Sequence, residues 1–197
     1  MAAVLHGPGE GERIATGTGS EILIKATGAD TAGSFFLSES TLAPGFPGPP
    51  LHRHRTLHDM FYVLEGTLTM DVDGERRELG PGSFACVAPG TAHTFSNPSA
   101  SPVRFLNFNT PGGFEHYMRD LGEAARSGPL TPEVMGPIAS RYDFELACAS
   151  CGGVGIARAR RSRRASARPT SAIPTSTTTA AIASGERRLP SEPPSAV

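Results

Sequence analysis

The amino-acid sequence predicts an all-β domain. Short helices are predicted to close the domain, and a disordered tail is predicted to follow it. Strand-like runs recur between residues 21 and 109, and clusters of Gly, Pro and Asp separate them. The chain of 197 residues contains 23 Gly, 18 Pro and no Trp, a composition that favours sheets and turns over helices. Short strands with turn signals at regular intervals are typical of a β-sandwich or a small barrel.

Seven runs rich in apolar and β-branched residues are predicted to be strands. They are "EILIKAT" (21–27), "GSFFLSESTLA" (33–43), "DMFYVL" (59–64), "TLTMDV" (67–72), "GSFACVA" (82–88), "AHTFSN" (92–97) and "VRFLNFN" (103–109). Asp73 and Gly74 form a hairpin signal, since a type I′ turn needs positive φ at both central positions. The Pro-rich residues 44–50 cannot be helical, so we expect the chain to be extended where it reaches the histidines that follow.

Two helical segments are predicted after the strands. Residues 114–125 place Phe114, Tyr117, Met118 and Leu121 at helical spacing. Residues 132–142 predict a second helix that Pro interrupts. We expect both helices to pack across the outside of the barrel.

The sequence divides into three regions. Residues 1–19 are predicted to be a flexible segment, residues 20–147 the folded domain, and residues 148–197 a disordered tail rich in Arg, Ser, Thr and Pro. The tail has no aromatic residue and cannot bury enough apolar surface to offset the entropy of ordering. Three explanations of its six Arg between 158 and 168 remain open: contact with nucleic acid or acidic partners, a solvated tail without function, or a shifted reading frame.

Charge and composition narrow the partners of the folded domain. Of the 19 Asp and Glu, 17 precede residue 148, whereas a nucleic-acid site would need a stripe of Lys or Arg. No segment has the apolar length of a membrane span or of a signal peptide. Cys86, Cys148 and Cys151 lack framework spacing, and the CxxC pair lacks a second ligand pair. We therefore expect a cytoplasmic protein that binds neither membranes nor, through this domain, nucleic acid.

The histidines are the strongest functional signal. His52, His54 and His58 stand in "LHRHRTLHDMFYVLEG", just before a strand-like run, and His93 opens another strand. In a strand His52 and His54 face the same side, close enough for both rings to reach one ion. Asp59 would be a carboxylate in a largely hydrophobic strand, where an unpaired charge is costly to bury. Each histidine alone also fits an ordinary solvated or hydrogen-bonded role, but the set together points to a metal site.

The spacing of these residues resembles the two sequence motifs of the cupin superfamily. The first motif is matched by His52, His54, Asp59 and Gly66, and the second by Gly82, Gly90, His93 and Asn97. Two departures are Ala88, where the motif prefers Pro, and Asp59, where Glu is usual. Residues 20–147 resemble the small single-domain cupins described as quercetin dioxygenase-like.

The resemblance implies a double-stranded β-helix, the jelly-roll barrel of cupins, that holds a divalent transition metal. It transfers the ligand role to His52, His54 and His93, and to Asp59 in place of the usual Glu. His58 remains an alternative fourth ligand, although strand alternation should aim it at the opposite face. Three imidazoles and a carboxylate suit Fe, Mn, Ni or Co.

Two classes of function remain open at this stage. The first is a dioxygenase for a small aromatic or apolar molecule, with a substrate pocket walled by Phe61, Val63, Phe95 and Phe105. In that enzyme Asp59 would act as a base if it were not a ligand. The second is a barrel that binds a small ligand without chemistry, and a cupin isomerase or lyase is a further alternative.

A homodimer is expected from one strand face. Met60, Tyr62 and Leu64 alternate with the inward residues of the same strand and form an apolar outer face. Exposed apolar faces of this kind are often covered by a second copy of the chain.

Overall fold

A computed structural model describes residues 3–17 and 19–147. Its strands are β1 (Glu12–Ala15), β2 (Ser20–Ala26), β3 (Phe36–Leu42), β4 (His52–Arg53), β5 (His58–Glu65), β6 (Leu68–Val72), β7 (Glu75–Leu79), β8 (Phe84–Val87), β9 (His93–Ser96), β10 (Val103–Thr110) and β11 (Glu145–Leu146). Its helices are α1 (Glu115–Ser127) and α2 (Pro132–Ala139). The predicted tail, with its Arg cluster and its CxxC pair, lies outside the described residues.

The strands form two antiparallel sheets. One has six strands in the order β1-β2-β3-β10-β5-β8, and the other has five in the order β11-β4-β9-β6-β7. Strand β10 lies between β3 and β5, and β9 lies between β4 and β6, so these neighbouring strands are distant in the chain. These crossing connections are those of a jelly roll. The predicted all-β jelly-roll barrel with short C-terminal helices is therefore confirmed.

The inner faces of the two sheets pack on a common apolar core. In β3 and β10 every second residue is buried, as the period of two in a strand requires. Phe61, Val63 and Phe105 from the first sheet meet Leu68 and Met70 from the second. This core holds β5, β9 and β10 in place around the inner histidines.

The predicted hairpin at Asp73 and Gly74 is confirmed. The two residues have φ values of 51° and 81°, and Val72 pairs with Glu75 directly across the turn. Strand β7, which follows the turn, was not predicted because its residues are Glu, Arg, Arg, Glu and Leu and it has no buried face. The hairpin turn and pairing with β6 impose the strand instead.

The structure also has a strand within the N-terminal segment, where the sequence indicated flexibility. Strand β1 pairs with β2 over four residues, with Ile14 opposite Ile22. Both isoleucines are buried in a second apolar cluster that includes Leu121 of α1. Burial of Ile14 stabilises the pairing of this short strand with β2.

The two helices pack on the inward face of the six-stranded sheet, which corrects the expectation that they lie outside the barrel. Tyr117 and Leu121 of α1 and Ile138 of α2 join Ile22 and Phe36 in one buried cluster. The reason is that β2 and β3 carry apolar inward residues, including Ile22 and Phe36, that the helices cover in place of the second sheet. Neither helix in the described part of the chain has the length and apolar composition needed to cross a bilayer.

The Pro-rich segment before β4 lies directly against β9. Gly48 has a φ of +90°, and a Cβ there would lie 1.8 Å from the carbonyl oxygen of Phe95. We expect Gly48→Ala to lower the free energy of unfolding by about 3 kcal/mol or more, since it adds a backbone clash to the cost of a left-handed conformation.

Gly90→Ala is the matched control for this prediction. Gly90 has a φ of +83°, but an added Cβ there would meet nothing within 4 Å. Its substitution should therefore cost only about 1 kcal/mol, the conformational part of the effect. Equal losses for the two variants in urea denaturation would show that the segment does not lie as close to β9 as described.

Candidate metal centre

The four predicted ligands come from three strands that the fold brings together. His52 is in β4 and pairs directly with His93 in β9, while His54 follows β4 by one residue. Asp59 is the second residue of β5, in the opposite sheet. The cluster therefore bridges the two sheets inside the barrel.

The four side chains converge. One nitrogen or carboxylate oxygen from each lies within 4.8 Å of the others, and all four residues are buried. The Nε2 atom of His93 is 3.2 Å from Oδ2 of Asp59, and Nε2 of His54 is 3.8 Å from the same oxygen. Ligands about 2.1 Å from one ion lie at most about 4.2 Å apart, so only small shifts separate this arrangement from a bound ion.

The tautomers of the histidines fit a metal. Nδ1 of His52 is 2.9 Å from the carbonyl of Pro50, and Nδ1 of His93 is 3.1 Å from the carbonyl of Thr91. Nδ1 of His54 contacts the carbonyl of Asp143. A carbonyl oxygen only accepts, so each Nδ1 carries the proton and each Nε2 lone pair points into the cluster.

One atom of the cluster supplies a direct test of fit. Nε2 of His54 is buried and has no hydrogen-bond partner among the described residues. An unpaired buried acceptor is costly, and a cation is a partner that would remove the cost. The donor set of three imidazole nitrogens and one carboxylate oxygen thus can hold a divalent transition metal.

Asp59 is held in one orientation by two asparagines of β10. Its Oδ1 accepts hydrogen bonds from Nδ2 of Asn107 at 2.6 Å and from Nδ2 of Asn109 at 2.7 Å. Its Oδ2 is left facing His54 and His93. The sequence analysis missed both asparagines, although the alternation in "NFN" places them on the inward face of their strand.

Electrostatics keep Asp59 ionised. Burial by itself raises the pKa of Asp59, but the neighbouring His54 and His93 rings outweigh it and hold the pKa well below its usual range. Burial also lowers the pKa of His54, but the Asp59 carboxylate and the carbonyl of Asp143 more than compensate and raise it. His58, the alternative ligand, is exposed at the start of β5, on the face opposite Asp59.

His52 makes the metal-free protein sensitive to acid. Burial, reinforced by His93, lowers the pKa of His52 to about 3. Between about pH 6.5 and 3 the unfolded chain binds a proton at this residue and the folded chain does not, so stability is lost as the pH falls. The contribution is at most about 1.4 kcal/mol per pH unit, and the raised pKa of His54 acts in the opposite direction.

We therefore expect His52→Gln to flatten the pH dependence of Tm in chelator-treated protein. The measurement is thermal unfolding followed by circular dichroism between pH 7 and 4.5, a range above the titration of Asp59. Glutamine keeps a polar side chain of similar size but does not titrate. An unchanged slope would show that His52 does not remain neutral in the folded state.

A cavity of about 500 Å³ opens beside His52 and Asp59. Its wall is largely apolar and combines both sheets with the two helices, including Phe95, Phe105, Phe114, Tyr117, Met135 and Phe144. Of the four predicted pocket residues, Phe95 and Phe105 line this cavity. Phe61 and Val63 lie one layer deeper in the apolar core, and the Phe61 ring packs behind Phe95 and Phe105 at 5.5 and 5.7 Å between centroids.

The helical part of this wall was missed from the sequence. Phe114 and Tyr117 carry the spacing of an amphipathic helix, which indicates packing but does not identify the surface that is packed. Only the position of α1 over the inward face of β2 and β3 turns these residues into cavity lining.

Comparison with known proteins agrees with this geometry. A family model for the cupin domain matches residues 38–109, which contain all four candidate ligands. Quercetin 2,3-dioxygenase of Bacillus subtilis is 33% identical over 117 residues, which are 58% of this chain and 33% of that protein. An uncharacterized protein of Methanocaldococcus jannaschii is 33% identical over 61 residues, which are 31% of this chain and 49% of that protein.

The chain therefore spans about a third and about half the length of these two curated relatives. Among solved structures, an RmlC-like cupin from Shewanella frigidimarina is similar in fold, with a TM-score of 0.51 and 19% identity. The match covers 58% of this chain and 96% of that one. The match to the family model, together with the jelly-roll topology and the inward histidines, identifies residues 38–109 as a cupin domain.

Proposed function

We propose that this cupin is a metal-dependent dioxygenase of the quercetinase kind, acting on a small aromatic molecule. The observation that supports the proposal is that two features lie side by side. The four candidate ligand atoms converge, and the apolar, aromatic cavity reaches two of their residues, His52 and Asp59. A divalent Fe, Mn, Ni or Co ion held by His52, His54, Asp59 and His93 would supply Lewis acidity toward an enol or hydroxyl oxygen. The likeness to a quercetin 2,3-dioxygenase supports the same reading.

The residues around the ion have separable tasks under this proposal. Phe95, Phe105 and Phe114 form flat apolar walls that bind an aromatic ring and exclude water. Asp59 serves as a ligand rather than as a base, because its pKa is lowered and its Oδ1 is already occupied by two asparagine amides. His58 has no part in the site.

The second candidate is a barrel that binds a small ligand without chemistry. It is favoured by the composition of the cavity wall, in which the described lining residues offer no Asp, Glu, His, Lys or Arg besides His52 and Asp59. An isomerase or lyase needs a group that moves a proton beside the substrate. The described lining offers only Tyr117 beyond the ligands, and burial raises the pKa of that phenol well above its usual range.

Oxygen uptake separates the two candidates. The full chain is stripped with a chelator, reconstituted separately with Fe(II), Mn(II), Ni(II) and Co(II), and mixed with a flavonol or a diketone in an oxygen electrode. We expect oxygen consumption with at least one metal and none in the stripped protein. If every metal form binds its ion stoichiometrically but consumes no oxygen, while the flavonol still binds, the barrel is a binding protein.

We also propose a homodimer formed through the outer face of the six-stranded sheet. Tyr62 of β5 and Phe84 of β8 are directly paired, and their side chains are 40% and 58% exposed. Met60 and Leu64 extend this face, and β8 is the last strand on this side of the sheet in the described part of the chain. The free thiol of Cys86, exposed on the same strand, fits the cytoplasmic location that we propose.

Phe84→Glu tests the dimer. A buried charge in a hydrophobic interface is costly, so this variant should elute as a monomer in sizing chromatography with light scattering, whereas the unmodified protein should elute as a dimer. Val134→Glu, at another exposed apolar residue in α2, serves as the control and should remain dimeric. A monomeric unmodified protein at micromolar concentration would contradict the proposal.

A further inference from the structure

The last described segment of the chain lies against two of the candidate ligands. After α2 the chain turns back, and β11 pairs with β4, with Glu145 opposite Arg53 and Leu146 opposite His52. Asp143 and Phe144, just before β11, contact His54 and His52 respectively. Asp143, Phe144 and β11 all lie outside the two cupin motifs.

Asp143 organises the loop between two ligands. Its carboxylate accepts hydrogen bonds from the backbone N–H groups of Arg55, Thr56 and Leu57 at 2.6, 2.9 and 3.0 Å, and from the hydroxyl of Thr56 at 2.8 Å. These three residues fill the gap between His54 and the start of β5, where Asp59 lies. The carboxylate therefore fixes the path of the chain from one ligand to the next.

The carbonyl of Asp143 also sets the tautomer of His54. His52 and His93 each donate from Nδ1 to a carbonyl two residues earlier in the same stretch of chain. The acceptor for His54 instead lies 89 residues away in sequence. The orientation of this one ring thus depends on docking of the C-terminal segment, whereas the other two rings are oriented locally.

Phe144 supports His52 through its ring. The two rings are stacked with centroids 4.1 Å apart and planes 10° apart. Phe144 is itself buried and packs against Tyr117 of α1 at 5.2 Å between centroids. The stack connects the plane of the His52 imidazole to the helix layer that covers the cavity.

We propose that Asp143 and Phe144 are positioning residues of the metal centre, which orient His54 and His52 from a segment outside the ligand motifs. This inference rests on the proposed metal site. Groups that hold a ligating histidine in its tautomer and orientation typically change metal affinity about 10- to 100-fold when they are removed. The C-terminal segment is then a part of the metal site.

The experiment measures the affinity of full-length variants for Co(II) by competition with a chelating dye, together with the visible absorption spectrum of the Co(II) form. Asp143→Ala keeps the backbone carbonyl but loses the carboxylate that holds residues 55–57, so the segment between His54 and Asp59 is no longer fixed against that carbonyl. This variant should bind Co(II) about 10- to 100-fold more weakly and show a shifted spectrum. Phe144→Leu should weaken binding several-fold. Glu145→Ala is the matched control, because among the described residues its side chain forms ion pairs with Arg53 and Arg55 at the surface and contacts no candidate ligand. It should leave both readouts unchanged.

Two further variants separate positioning from loss of stability. Gly33→Ala lowers stability in the loop between β2 and β3, where Gly33 has a φ of +79° and an added Cβ would meet nothing within 4 Å, and it should keep the Co(II) spectrum of the unmodified protein. Thr56→Val removes one hydrogen bond to the Asp143 carboxylate and should weaken Co(II) binding measurably even if Asp143→Ala does not fold.

The outcomes distinguish this inference from the proposed function. If Asp143→Ala and Thr56→Val bind Co(II) as tightly as Glu145→Ala and with the same spectrum, the positioning role is overturned while the metal site stands. If the unmodified protein does not bind Co(II), both are overturned. Weakened binding in a protein that consumes no oxygen supports the positioning role and rejects only the dioxygenase.

Discussion

Replacing His93 with alanine should lower the affinity of the protein for Co(II) or Ni(II) by roughly 100-fold or more. His93 is fully buried, pairs with His52 across the β4–β9 ladder, and places Nε2 3.2 Å from Oδ2 of Asp59. Its substitution removes one of the four candidate ligands, and the loss of a group that only orients a ligand already lowers metal affinity about 10- to 100-fold. Isothermal titration of chelator-treated protein measures the effect.

His58→Ala is the control for this prediction and decides the fourth ligand. His58 precedes Asp59 directly but is exposed on the other face of β5. Its substitution should leave the dissociation constant for metal within about twofold of the unmodified value, in contrast to the loss expected from a partner of the ligands. A loss comparable to that of His93→Ala would show that a rearranged strand brings His58 to the ion in place of Asp59.

Asp59→Asn should weaken metal binding strongly while leaving the fold intact. An asparagine Oδ1 still accepts from Asn107 and Asn109, and its Nδ2 can donate to Nε2 of His93. The variant therefore keeps the hydrogen-bond network but lacks the negative charge. We expect affinity for Co(II) to fall roughly 100-fold, with a smaller loss of stability than in Asp59→Ala.

The comparison with Asp59→Ala isolates the charge. Alanine leaves the amide of Asn109 without its acceptor, at a cost of about 1–3 kcal/mol, whereas the amide of Asn107 keeps the carbonyl of Met60 at 3.1 Å. Urea denaturation of both metal-free variants gives the free energies of unfolding, and titration gives their affinities. If Asp59→Asn bound Co(II) as tightly as the unmodified protein, Asp59 would not be a ligand, and a role as base would have to be considered.

Local patterns in the sequence predicted most of the strands because their inward faces are apolar. The alternation in β5 placed Phe61 and Val63 inward, and the structure buries both. The alternation failed for β7, whose residues are polar on both faces and owe their strand conformation to the turn at Asp73 and Gly74. Periodicity reports burial, so it cannot detect a strand that buries nothing.

The candidate site was only partly accessible from the sequence. The types and spacing of the four candidate ligands were apparent, since each lies within or beside a short motif. The groups that orient them were not, because they arrive through long-range pairing. Asn107 and Asn109 meet Asp59 only because β10 inserts between β3 and β5. Likewise, Asp143 meets His54 only because the chain returns to β4 after two helices.

Residue type and near-neighbour spacing were enough to predict the all-β class, the hairpin at Asp73 and Gly74, and the three histidines and one aspartate of the candidate site. Long-range packing placed the helices over the inner face, put Phe61 and Val63 behind the cavity wall, and brought a C-terminal segment into contact with two candidate ligands. The physical reason is that burial of apolar surface selects which distant elements pack together, and no local period in the chain records that choice.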